Sequence, residues 1–169
     1  MCFSRKKMLL YLCAFMRAAV LACAPALAEV DAFSSASVAD FYAANALTGD
    51  DLMNAINSFS GFYLVCTTNP DGSANAGFFI FGCAAHEGKY YLKLGLAENQ
   101  SRQNLLANGE GVAVYAASPS GEEGAKPYAV AGAKMRFSVV TDEAVLSALE
   151  VEAGGATILC EITEIKPLG

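Results

Sequence analysis

From Ser37 onward the chain alternates between segments whose apolar residues recur at helical spacing and segments in which they alternate or run without a break. SVADFYAANALTGDDLMNAINSF predicts two short helices, the second opened by Thr48 or Asp50 and carrying Leu52, Ile56 and Phe59 on one face. GFYLVCTT and ANAGFFIFGC predict two strands joined through NPDGS, in which Pro70 presets φ and Gly72 supplies positive φ, so the pair reads as a hairpin. AAHEG reads as the next turn, KYYLKLGL as a third strand, and SRQNLLAN as a polar helix that Asn108-Gly109 ends. GVAVYAA follows as a strand, then the loop SPSGEEGAKP, then the long run YAVAGAKMRFSVV, where Gly132 marks an expected bulge or bend. TDEAVLSALEVEA predicts a helix with acids in its first turn, and TILCEITEIKPLG closes the chain as a last strand.

About six strands, short hairpin links, small helices and no βαβ rhythm predict an antiparallel barrel and exclude a doubly wound sheet. The first 28 residues follow a different rule. The basic head MCFSRKKM precedes the apolar run LLYLCAFMRAAVLACAPALA, which ends in a small-x-small site before Glu29. That is the profile of a signal peptide, with Arg17 interrupting the run, and a start at Met16 is the competing reading. The expected organisation is a leader over 1–28, a lead-in with a short helix over 29–50, and the barrel over 51–169. Export to a bacterial periplasm or cell envelope follows from the first reading, a cytoplasmic chain from the second.

Charge then narrows the partners. The whole chain carries −6, but Arg5, Lys6, Lys7 and Arg17 all lie in the leader, and none of the seventeen acids does. The remainder keeps seven basic residues, a net charge of −10. Nucleic acid is not an expected partner. Cys66, Cys83 and Cys160 remain after the leader, odd in number and without C-x-x-C spacing, so buried strand thiols are expected and a disulfide framework or metal site is not. The single histidine, His86, falls in the expected turn and is a poor general base there.

The polar helix is the most informative local feature. Ser101 and Arg102 stand at its head, where unpaired N–H groups and the positive end of the dipole suit an oxyanion. The same residues also suit a plain solvent-facing cap, and both readings stand at the level of the helix alone.

The ordered set TTNPDGSANAGFFIFG, GKYYLKLGLA, SRQNLLAN, GVAVYAA and VAGAKMRF resembles the pyridoxamine 5′-phosphate oxidase-like flavoproteins over roughly residues 52–168, with the small bacterial FMN-binding proteins similar in length. The resemblance implies a mainly β protein, an antiparallel split β-barrel of the FMN-binding type. It implies a phosphate seat at Ser101 and Arg102 beside Gln100, ordered by Asn104, and an isoalloxazine ring along the second strand at Phe78, Phe79 and Ile80. Lys93, on the third strand, is either near that phosphate or on the surface. The implied cofactor is FMN, with a deazaflavin as the alternative. The implied partners are a second copy of the chain in a homodimer and a small-molecule substrate or redox partner. The implied functions are an FMN-dependent oxidoreductase, a flavin-binding electron carrier, or a split barrel that has lost flavin. The chain has no Trp and lacks the Arg- and His-bearing C-terminal segment of true pyridoxamine phosphate oxidases, so vitamin B6 oxidation is not expected.

Overall fold

The computed structural model of the protein describes residues 44–117 and 130–168; the expected leader, most of the first N-terminal helix and the loop SPSGEEGAKP lie outside them. In chain order the elements are helix α1 (Gly49–Asn57), strands β1 (Phe62–Thr68), β2 (Ala74–Phe78), β3 (Phe81–His86) and β4 (Lys89–Gly95), and helix α2 (Gln100–Asn108). Strands β5 (Glu110–Ala116) and β6 (Gly132–Val139), helix α3 (Glu143–Ala148) and strand β7 (Thr157–Lys166) follow. The strands form one sheet in the order β2-β1-β5-β6-β7-β4-β3, with every neighbouring pair antiparallel.

The two outermost strands of that order, β2 and β3, are joined by Phe79 and Ile80 alone, so the sheet must roll until its ends meet. No β2–β3 ladder closes the roll. This is a split barrel, and it corrects the reading of ANAGFFIFGC as one strand. The chain pairs with β1 through Phe78 and with β4 from Phe81, and a single straight strand cannot change partners without turning a corner. Two further boundaries move. AAHEG is not a turn, because Ala84 to His86 continue β3 and Glu87-Gly88 alone make the two-residue link, at φ 48° and 75°. The irregularity expected at Gly132 falls instead between Arg136 and Phe137, opposite β7.

The interior is built by alternation. Tyr63 and Val65 of β1, Ala113 and Tyr115 of β5, and Met135 and Phe137 of β6 point into one buried cluster with Leu52 and Ile56 of α1. A smaller cluster lies outside the barrel wall, where Tyr91 of β4 and Leu159 of β7 are covered by Leu146, Leu149 and Val151. Polar contacts fix α1 on the barrel. The Tyr63 hydroxyl donates to Ile56 O at 2.6 Å, and the Tyr115 hydroxyl lies 2.9 Å from Ala55 O and 2.8 Å from Ser60 O, so carbonyls at the helix C-terminus are satisfied. Asn57 accepts from Cys83 N and donates to Cys83 O, both at 2.8 Å, and so occupies the free edge of β3.

Candidate functional site

Helix α2 packs against β1 and β2 and meets them through polar side chains. Its cap residue Asn99 accepts the Arg102 backbone N–H at 3.0 Å, and Gly109, in the left-handed region at φ 74°, ends it as the sequence predicts. Ser101 and Asn104 on its inner face are buried, as is Thr67 of β1. Buried polar groups require partners, and here they find one another. Asn75 of β2 donates to Ser101 Oγ at 2.9 Å and to Thr67 Oγ1 at 3.0 Å. Asn104 donates to Thr67 Oγ1 at 3.0 Å and to Asn69 Oδ1 at 2.9 Å, and accepts from Gln100 Nε2 at 2.7 Å. Asn69 donates onward to Ser73 Oγ at 3.0 Å, and Ser73 Oγ donates to Asp71 at 2.6 Å. The Ser73 hydroxyl and backbone N–H hold the Asp71 carboxyl below its ordinary range.

Three of the four residues expected at the phosphate end, Gln100, Ser101 and Asn104, therefore share one cluster. Arg102 does not join it. Its guanidinium, on a side chain almost wholly buried, faces the segment before β7, donating to Gly155 O at 2.8 Å, Ala156 O at 3.3 Å and Leu96 O at 3.4 Å, with Glu98 3.3 Å from Nε. Lys93 is also committed elsewhere, donating to Leu149 O at 2.7 Å. His86 sits at the end of β3, 4.0 Å from Glu87.

The expected ring-binding stretch divides by side. Phe78 and Ile80 point outward and are 77% and 65% exposed. Phe79 turns inward against the core, its ring so close over Gly77 that a Cβ there would lie 2.5 Å from it. Phe78 stands opposite Leu64 of β1, and Leu64 opposite Val114 of β5, so the outward face of these three strands is an apolar stripe that includes Phe62, itself 58% exposed. Cys66 lies on this face, half-buried, while Cys83 and Cys160 are buried; all three thiols are free. Burial raises each thiol, Cys83 to about 11, so all three favour the protonated form at neutral pH.

Thr67, Asn69 and Asn75 were not singled out from the sequence. Their signal was present: Thr67 and Asn75 occupy inward positions of alternating strands, where a polar residue must have a buried partner.

No family model matches the sequence, and no curated protein does. Solved structures share its fold. An FMN-binding protein from Syntrophomonas wolfei aligns with a TM-score of 0.50 at 10% identity, over 71% of this chain and 85% of that one. HupZ of Group A Streptococcus gives 0.48 at 13% identity, over 72% and 94%. An FMN-binding domain of a flavin reductase-like enzyme from Shewanella baltica gives 0.42 at 10%, over 68% and 73%. The chain thus shares its fold, an antiparallel split barrel, with the Syntrophomonas wolfei FMN-binding protein.

Proposed function

We propose that this chain is a small flavin-binding protein, an oxidoreductase acting on a small molecule, with its ring site on the outside of the barrel along β2. The observation that carries this reading is the exposed apolar strip of Phe78 and Ile80 at the end of β2, the strand whose Asn75 joins the polar cluster at α2. Such a strip, next to an open strand edge, suits a flat tricyclic ring with a polar tail. When bound, a flavin supplies the electron transfer itself. The chain's own contribution is position and dryness: Phe78 and Ile80 offer apolar contact, and the β2 backbone offers edge hydrogen bonds. FMN and a deazaflavin both match the ring half. The phosphate half does not fit, because the one cation in the first turn of α2 is turned onto backbone carbonyls. That same observation favours a second reading, a split barrel that no longer holds flavin.

The apolar stripe across β2, β1 and β5 supports a homodimer. Phe62, Leu64, Phe78 and Val114 on one continuous face would be costly to leave in water, and a twofold-related copy covers such a face with itself. Purified protein is expected to bind added flavin with quenching of its fluorescence and to sediment as a dimer at micromolar concentration. Cys66 is expected to react with a maleimide in the denatured chain and to become slower than an exposed thiol as concentration drives dimerisation. Protein that rejects both FMN and riboflavin sinks the flavin reading; a stable monomer that holds flavin stoichiometrically sinks the dimer.

The basic head, apolar run and ALA site support export with removal of residues 1–28. The N-terminal sequence of protein recovered from its native host is expected to begin at Glu29, and a chain beginning at Met1 or Met16 in the cytoplasm would overturn this.

A further inference from the structure

The polar end of the proposed site carries neutral donors and negative neighbours where a phosphate seat needs positive charge. A phosphate monoester bears about −1.5 to −2 charges at neutral pH, and seating it in a partly desolvated site without a cation leaves most of that charge uncompensated. Among the described residues, every basic side chain has other business. Lys89 pairs with Glu161, Lys93 holds Leu149 O, and Arg102 holds Gly155, Ala156 and Leu96. Lys134 and Arg136 stand on β6, which β5 separates from β1, and Lys166 pairs with Glu164 on β7.

The direction of the hydrogen bonds makes the same point independently. Amide and hydroxyl protons run one way, from Gln100 to Asn104, Asn104 to Asn69, Asn69 to Ser73, and Ser73 to the Asp71 carboxylate. Asn75 and Asn104 have both of their N–H groups engaged within the cluster. The amide donors of Gln100, Asn75 and Asn104 are thus engaged within the protein, and the chain that begins at Gln100 ends on an anion of the protein's own.

We infer that this site, if the flavin reading above is correct, takes the uncharged form of its ligand: a tricyclic flavin whose side chain ends in hydroxyls instead of a phosphate. Hydroxyls both donate and accept, so they can join a cluster of hydroxyls and amides without a counter-charge. Selection then rests on the ring and on the absence of a charge to bury.

Fluorescence-quenching titrations of the purified protein with riboflavin and with FMN test this. Riboflavin is expected to bind as tightly as FMN or more tightly, and an advantage for FMN of about tenfold or more would overturn the inference while leaving the flavin reading intact. Binding of neither ligand would sink the flavin reading and this inference with it. Two variants guard against accident. Gln100→Arg, at an exposed position in the first turn, is expected to tighten FMN by about tenfold relative to riboflavin, since it supplies the missing charge-assisted donor; an unchanged FMN-to-riboflavin ratio would overturn the placement of the ligand tail at α2. Arg102→Met is expected to lower the melting temperature and leave the riboflavin-to-FMN ratio where it was. A selective loss of FMN in that variant would show that Arg102 reads phosphate after all.

Discussion

Arg102→Ala is expected to destabilise the folded chain by about 3 kcal/mol, a large effect for a residue placed by sequence at the head of a polar helix. The residue is 7% exposed and its side chain reaches three backbone carbonyls, two of them more than fifty residues further along the chain. Removing it takes the guanidinium donor from Gly155 O and Leu96 O, leaves Ala156 O with the Leu96 N–H at 3.1 Å, and opens a space under the segment before β7. Hydrogen bonds to a charged group contribute about 1.5–3 kcal/mol each in favourable cases, and each abandoned acceptor adds a desolvation cost. Glu98 adds little, since it is 86% exposed and its ion pair is screened. Arg102→Lys is expected to recover only part of the loss, because an ammonium is a point charge and cannot span carbonyls on two segments as a planar guanidinium does. Urea denaturation measures all three proteins. A loss under about 1 kcal/mol for Arg102→Ala would mean that water replaces the guanidinium, and the residue would not be a latch.

Gly132→Ala is expected to cost at least about 3 kcal/mol, while Gly95→Ala in β4 is expected to be nearly neutral. A Cβ on Gly132 would lie 2.1 Å from Tyr115 O and 3.0 Å from Ala116 Cα, both backbone atoms of the neighbouring strand β5. Nothing lies within 4 Å of a Cβ on Gly95. Backbone cannot step aside as a flexible side chain does, so β5 and β6 must separate at the start of β6. The same residue also accepts from Leu47 N at 3.0 Å and donates to Asn45 O at 3.2 Å, tying the lead-in segment to the barrel. Separation there would loosen both connections. Equal stability of the two alanine variants, by thermal or chemical denaturation, would show that the close approach at Gly132 relaxes without cost.

The two glycines illustrate a general division. Gly109 and the Glu87-Gly88 link adopt positive φ, and a helix end or a two-residue turn asks for that locally, so the first was legible from Asn108-Gly109. Gly132 has no such local signature. Its requirement comes from another strand approaching it, which a bend-or-bulge reading could register only as a glycine inside an apolar run.

Sequence alone determined the alternation that makes β1, β4, β5, β6 and β7, the turn at Asp71-Gly72, and the position and termination of α2, because each depends on residues within one turn or one strand. It also determined the fold class, since short hairpin links between half-buried strands leave few ways to bury their inner faces other than rolling the sheet. The corner at Phe79 and Ile80 was not legible: FFIF contains no breaker, and the chain turns there only because β1 holds one side of it and β4 the other. Nor was the role of Arg102. Spacing places its Cα in the first turn of α2, but a long, flexible side chain goes where its five donors find the best acceptors, and those acceptors lie at Gly155 and Ala156, brought alongside only when β7 pairs with β4.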